Sequence, residues 1–243
     1  MSPDDAASRS VTSLWKTPGG QDIKALLPFA NMGKPELQTL LDAATLQRID
    51  ANSKVFEEGD PAVNFYLLLE GTAMAVRTTS EGEQVILRHI MPGQLFGIAQ
   101  AFEHETYRTT TRVIVAGLVL CWPADVWNRF SRDYPAFLLA SRQAVGERFD
   151  DMREKLVAMA TLKVDQRIAH AILGLVTRAG IARPQGIEIG FPITRQDISE
   201  MTGTTLHSVS RCMSKWEKSG IIASKRRRVT VCNVEELRNE PAH

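Results

Sequence analysis

Cysteine is scarce in this chain: Cys121, Cys212 and Cys232 are the only three among 243 residues, widely spaced and odd in number. That pattern excludes a disulfide framework and a cysteine-rich metal site, and it fits a reducing cytosol. Long hydrophobic runs are also missing, since the longest, Val113 to Trp122, is about half of what a membrane-spanning helix needs. Charge of one sign is not in excess either. With 29 Lys and Arg against 28 Asp and Glu, the net charge of +1 says nothing by itself about nucleic acid. The first residues, Ser2, Pro3, Asp4 and Asp5, lack the basic-then-apolar pattern of a secretion signal. A cytoplasmic protein without membrane contact is expected. We find no nucleophile–base pairing, no glycine-rich phosphate loop ahead of a helix and no metal-ligand spacing, which argues against an enzyme.

The charge that is present is unevenly spread. From Thr161 to His243 there are 13 Lys and Arg against 8 Asp and Glu, an excess of five positive charges, so the preceding residues carry four negative ones. A basic C-terminal portion behind an acidic body is expected when only one domain meets a polyanion. The length suits two small domains. Residues 1–35 read as a flexible leader, with Pro3, Pro18, Gly19, Gly20 and Pro28. A short helix follows, with Leu37, Leu40, Leu41 and Ala44 on one face.

From Leu46 to Pro123, within a sensor domain expected over residues 36–132, the texture is short apolar runs punctuated by glycine. Gly59-Asp60-Pro61, Glu70-Gly71, Glu81-Gly82 and Pro92-Gly93 are turn signals, and Phe65–Leu69, Ala73–Arg77 and Gln84–Ile90 between them have strand length. A compact β-sandwich or roll is expected. After Pro135 the period becomes helical, and residues 133–160 form one long helix. Leu138, Val145, Met152 and Met159 recur every seven residues, with Phe149 and Leu156 between them, while Arg142 and Lys163 interrupt the seam. Such a stripe packs either on its own domain or against a second copy, and the heptad spacing favours a homodimer.

Residues 161–243 carry the chemistry. Ile168, Ile172, Leu173 and Leu175 predict a helix running to Gly180, and Ile187, Ile189 and Phe191 alternate as a short strand. Thr194 lies three residues before Asp197, the spacing of a capping box, and Ile198 and Met201 give that helix its apolar face. Gly203 can take the positive φ of a tight interhelical turn. Thr205 then caps a second helix with Leu206, Val209, Met213 and Trp216 inward, and Gly220 closes it. His207, Ser208, Ser210 and Arg211 face outward near its start, where a recognition helix meets base edges. Lys225, Arg226, Arg227 and Arg228, between Ile221-Ile222 and Val229–Val231, predict a basic wing for phosphate contact. Base reading thus falls to His207, Ser210 and Arg211, and backbone contact to Thr194, Thr205, Ser208 and the four wing cations.

With these motifs in place, the chain after the leader resembles the CRP/FNR superfamily of bacterial regulators. The resemblance rests on Gly59-Asp60-Pro61 with Phe65–Gly71, on Pro92-Gly93-Gln94-Leu95-Phe96-Gly97, and on Thr194–Ile198 through Ser210-Arg211. It implies an α+β protein: an N-terminal β-roll of the cyclic-nucleotide-binding type, a dimerisation helix and a C-terminal winged helix-turn-helix. It further implies a homodimer on near-palindromic double-stranded DNA, in contact with RNA polymerase. FNR-like members carry Glu-x-x-Ser-Arg on the recognition helix. Here Ser210 and Arg211 match and His207 replaces the glutamate. The Ser-Arg pair implies a TTG-N8-CAA-like site. His-x-x-Ser-Arg resembles the NnrR-type, nitric-oxide-linked regulators of denitrification, and an oxygen-limitation response is the neighbouring possibility.

The effector stays open at this level. The leader holds none of the cysteines that iron–sulfur sensors need. Cyclic-AMP binders resemble the pocket formed by Gly97, Ile98, Arg108 and Thr109, the last two aligned with their phosphate-binding pair. Ile98, however, replaces the glutamate that bonds the ribose hydroxyl, a loss of about 1.5–3 kcal/mol that disfavours cyclic AMP. Haem would need an axial ligand, for which His89, His104 and His170 are candidates, each also readable as structural. Cys212, next to Arg211, is either an exposed thiol whose oxidation blocks DNA binding or a small buried side chain. The competing function is a small-molecule-binding module, holding cyclic nucleotide or haem, with secondary DNA contact.

Overall fold

The computed structural model describes residues 23–26, 29 and 31–240, so most of the expected leader lies outside the described residues. The chain divides into two compact units. One is built on residues up to Arg77 together with His89–Phe149, the other on Thr78–Arg88 together with the residues from Asp150 onward.

The first unit opens with core, and this corrects the leader. Ile23, Leu26, Phe29 and Met32 are buried, spaced three apart. Their backbones make three successive tight turns, Leu26 N–H to Ile23 O, Phe29 N–H to Leu26 O and Met32 N–H to Phe29 O, at 2.9–3.1 Å. Four apolar side chains repeating every three residues gain more by burial than the prolines and glycines around them oppose. Helix α1 (Lys34–Asp42) buries Leu37, Leu40 and Leu41, as its spacing predicts. The indole N–H of Trp122 donates to Leu40 O at 2.7 Å, and the ring stacks on Phe65 at 5.2 Å between centroids.

Six strands follow: β1 (Thr45–Ile49), β2 (Lys54–Phe56), β3 (Asn64–Thr78), β4 (Gln84–Ile90), β5 (Leu95–Phe96) and β6 (Thr110–Pro123). They form one sheet in the order β1-β6-β3-β4, with β2 also on β6 and β5 on β3. The apolar run at Val113–Trp122 is the central strand β6, with antiparallel neighbours on both sides. Glu70-Gly71 is not a turn. Strand β3 runs through it with register shifts, and Gly71 has φ +91°. Opposite it, a Cβ on Gly117 would lie 1.9 Å from the Glu70 carbonyl oxygen. These glycines let two strands cross closely inside the sheet, a bulge rather than a chain reversal.

Helix α2 (Ala124–Asp133), unanticipated at the end of the expected roll, buries Val126, Trp127 and Phe130. Helix α3 (Pro135–Thr161) covers the expected 133–160 almost residue for residue. On it Phe149, Met152 and Leu156 are 62%, 65% and 67% exposed, Met159 is exposed as well, and Leu138 and Val145 are half-buried.

The second unit places α4 (Val164–Ala179) ahead of the hairpin β7 (Gly180–Arg183) and β8 (Gly186–Ile189). Then come α5 (Arg195–Thr202), α6 (Leu206–Lys218), β9 (Ile222–Lys225), β10 (Arg228–Val231) and α7 (Val234–Arg238). The four strands make a sheet ordered β7-β8-β10-β9. Strand β7, all exposed, escapes the alternation that reveals β8. Ile168, Ile172, Ile198, Val209, Met213, Trp216, Val229 and Val231 are the core of this unit.

Candidate nucleic-acid interface

The helix pair α5–α6 is fixed at its ends. Thr194 and Asp197 make a reciprocal capping box: the Asp197 N–H donates to Thr194 Oγ1 at 3.0 Å and the Thr194 N–H to Asp197 Oδ2 at 2.7 Å. Gly203 sits at φ +59°, and the Ser199 hydroxyl donates to Thr204 O at 2.6 Å, closing the turn. Thr205 Oγ1 accepts from the Ser208 N–H at 3.1 Å and caps α6. Arg195 Nη2 lies 3.2 Å from both carboxylate oxygens of Glu217, tying α5 to α6. Gly220, at φ +75°, follows the Ser219 cap.

Val209, Cys212, Met213 and Trp216 form the buried stripe of α6. His207 and Arg211 are exposed and Ser210 half-buried on its other side. Leu206 departs from the reading that placed it inward, being 45% exposed. It is the first residue of the helix, and no preceding turn covers it. An apolar side chain there, beside His207, offers a surface of the kind that meets a thymine methyl.

The wing is a two-residue hairpin. Arg228 pairs with Lys225, and Arg226 and Arg227 between them have φ +50° and +64°, the arrangement of a type I′ turn. The Ile193 N–H donates to Arg227 O at 2.8 Å and holds the turn beside the start of α5. Lys225, Arg226 and Arg227 are exposed and Arg228 half-buried, with no carboxylate within salt-bridge distance among the described residues. The fold thus collects capped helix ends, His207, Ser210 and Arg211 off the buried stripe of α6, and a cationic wing in one unit.

Behind this surface lies a group that motif reading passed over. Asp165, in the first turn of α4, is buried, accepts from the Cys212 thiol at 2.9 Å and lies 3.8 Å from Arg211 Nη2. The signal was its spacing, three residues before Ile168 and seven before Ile172, on the apolar stripe itself. Cys212 is buried, and desolvation together with the neighbouring Asp165 carboxylate pushes its thiol up to about 12. The thiolate that oxidation needs is suppressed there, so of its two readings the buried side chain holds.

The residues expected to bind an effector lie just after β5 and just before β6. Gly97 has φ +65°, and a Cβ there would meet the Phe56 and Tyr66 rings at 3.0 Å. Phe56, Tyr66, Phe96 and Tyr107 stack inside the roll, Phe56 on Tyr107 at 3.8 Å between centroids. Ile98 is buried in the apolar core, Arg108 is exposed and Thr109 half-buried. A ribose hydroxyl would find no partner at Ile98. The haem candidates lie on separate elements: His89 buried on β4, His104 stacked on Phe102 at 6.2 Å in an exposed loop, His170 exposed on α4. Among the described residues no group of three or more His, Cys, Asp and Glu could hold a metal ion, and no helix is long and apolar enough to cross a membrane.

A β-roll followed in the chain by a winged helix-turn-helix defines a DNA-binding transcription regulator. Residues 166–240 match the Crp-like helix-turn-helix domain and residues 46–134 the cyclic nucleotide-binding domain. The chain belongs to the CRP/FNR family. Among its relatives is the nitrogen fixation regulation protein FixK of Bradyrhizobium diazoefficiens, 26% identical over 192 residues, 75% of this chain and 80% of that one. The cAMP-activated global transcriptional regulator CRP of Haemophilus influenzae is 25% identical over 207 residues, 83% of this chain and 90% of that one. The structure of FixK2 from Bradyrhizobium japonicum shares the fold, with a TM-score of 0.72 at 20% identity over 82% of this chain and 98% of that one.

Proposed function

We propose that this regulator works as a homodimer in the cytoplasm, reading a TTG-N8-CAA-like palindrome through His207, Ser210 and Arg211. The observation that carries the reading is the surface of α6: its buried stripe leaves these three residues outward at the capped end, next to a wing of unpaired cations. Arg211 is placed to bond guanine O6 and N7 together, and Lys225, Arg226, Arg227 and Arg228 to meet phosphates, as do Thr194, Thr205 and Ser208 near the helix starts. Phe149, Met152, Leu156 and Met159 on α3, joined by Val145 and Leu138 toward its start, are the seam for the second copy. Two-fold symmetry then sets the two reading helices about 34 Å apart, in successive major grooves. The proposal extends to contact with RNA polymerase and to a nitric-oxide or oxygen-limitation response, on the resemblance of His207-x-x-Ser210-Arg211 to the NnrR-type helix.

The test is fluorescence anisotropy at fixed salt on a TTG-N8-CAA duplex and a scrambled one, in air and under oxygen-free reductant. Wild type is expected to prefer the palindrome. Arg211→Ala should lose about 1–3 kcal/mol on it together with discrimination at one base pair. Arg227→Ala should weaken both duplexes alike. Unaltered discrimination in Arg211→Ala would remove the assignment of the reading helix.

A further inference from the structure

We infer that Asp165 is a specificity-determining positioning residue: from the first turn of α4 it tethers and aims the Arg211 guanidinium of the reading helix. The inference rests on Arg211 being a base reader and goes beyond it. The geometry is asymmetric. The Asp165 side chain is 8% exposed while that of Arg211 is 66% exposed, and Asp165 Oδ1 faces both the Cys212 thiol at 2.9 Å and Arg211 Nη2 at 3.8 Å. One carboxylate oxygen therefore gathers the buried and the outward side of α6 at two consecutive residues.

Burial gives the carboxylate a fixed position that a surface acid lacks. Cys212, with its thiol held protonated, donates to it at neutral pH. Its place in the first turn of α4 lets the exposed amides of that helix end stabilise the negative charge. Arg211, by contrast, has a long side chain that in isolation samples many rotamers and reaches phosphates as readily as bases. A fixed anion on one edge of the guanidinium leaves the other edge as a fork for guanine O6 and N7. The same anion repels phosphates, which disfavours binding that ignores sequence.

Two consequences follow for Asp165→Asn, which keeps an oxygen for the Cys212 thiol and removes the charge. Binding to the scrambled duplex should rise, and the preference for the palindrome should fall. An ion pair whose arginine stands in solvent is worth little by itself. With two copies in a dimer, the specific-to-scrambled ratio should fall about tenfold. A merely structural carboxylate would instead lower the unfolding midpoint and weaken both duplexes equally.

The experiment is a double-mutant cycle on the full chain: wild type, Asp165→Asn, Arg211→Ala and the double variant, titrated on the palindrome, the scrambled duplex and palindromes changed at each half-site base pair. The expected result is a reduced ratio in Asp165→Asn, concentrated at the base pair where Arg211→Ala loses discrimination, and no further change when Asp165→Asn is added to Arg211→Ala. If Asp165→Asn keeps the wild-type ratio, or changes it by the same factor without Arg211, the tether is overturned while the base-reading assignment stands. If Arg211→Ala itself keeps full discrimination, the assignment fails, and the tether with it. Should Asp165→Asn not fold, 15N relaxation of the Arg211 side chain in DNA-free wild type decides. Restricted motion supports the tether, and free rotation overturns it.

Discussion

Replacing Arg226-Arg227 by Asn-Gly separates what the wing does for the fold from what it does for DNA. Both arginines hold positive φ in a two-residue loop, a conformation that L side chains adopt with strain of about 1–3 kcal/mol each. Asn-Gly is the pair that suits a type I′ turn. Asparagine keeps part of the strain at its own position and glycine returns about 0.5–1 kcal/mol through its freedom in the unfolded chain, so relief at the glycine position dominates and the net gain is about 1–2 kcal/mol. Native-state hydrogen exchange reads this locally, at the Ile193 amide bonded to Arg227 O and the Cys232 amide bonded to Ile221 O. Both should exchange about 5- to 30-fold more slowly. DNA binding should move the other way. Losing two cations per protomer removes up to four phosphate contacts from a dimer, flattening the slope of log K against log salt by about 3–4. Faster exchange would refute the strain argument, and an unchanged salt slope would refute the placement of the wing on phosphates.

Gly117→Ala should prevent the first unit from folding, because the added Cβ meets the Glu70 carbonyl at 1.9 Å; loss of the near-ultraviolet dichroism of the buried Trp122 would report it. Leu156→Asp, on the exposed seam of α3, should leave the fold intact and shift sedimentation equilibrium toward monomer; an unshifted mass would move the dimer contact elsewhere. The Cys212 thiol, raised in the folded chain from an ordinary 9.0 to about 12, contributes stability that is complete below pH 9 and lost as pH rises toward 12. Cys212→Ser should flatten the fall of the unfolding midpoint across that window, and leave peroxide sensitivity of DNA binding unchanged.

Much of the second unit was legible because its signals are local. Thr194 with Asp197, Gly203, Thr205 and Gly220 each do what their side chains dictate within a few residues, and the structure shows each doing it. The misses share a different cause. Glu70-Gly71 carries a turn signal, yet what decides its conformation is Gly117, a partner 46 positions away in the sequence. Prolines and glycines dominate the local pattern of residues 1–35, whereas the burial of Ile23, Leu26, Phe29 and Met32 depends on Trp122, likewise distant in the chain. Leu206 fits the inward period of its helix but sits where the helix begins, with no turn before it to pack on. Asp165 carries no motif, only its spacing on the apolar stripe of α4, and its neighbours in space, Cys212 and Arg211, give that spacing its meaning. The effector pocket was drawn from resemblance, and the aromatic side chains that occupy the roll, Phe56, Tyr66, Phe96 and Tyr107, are not adjacent in sequence to one another.

The pairing of β1 with β6 sets a waiting time during synthesis. Thr45 faces Cys121 across the sheet, 76 residues later in the chain. At translation rates of about 5–20 residues per second, β1 leaves the ribosome about 4–15 s before its partner strand exists. Until then the unpaired strand and the apolar side chains of α1 have no sheet to close against, because Trp122, whose indole binds the α1 carbonyl of Leu40, is not yet made. The apolar side chains of the nascent first unit thus stay exposed until β6 emerges. Codon choices that slow elongation between residues 50 and 120 should lower the yield of folded protein more than the same delay placed after residue 161.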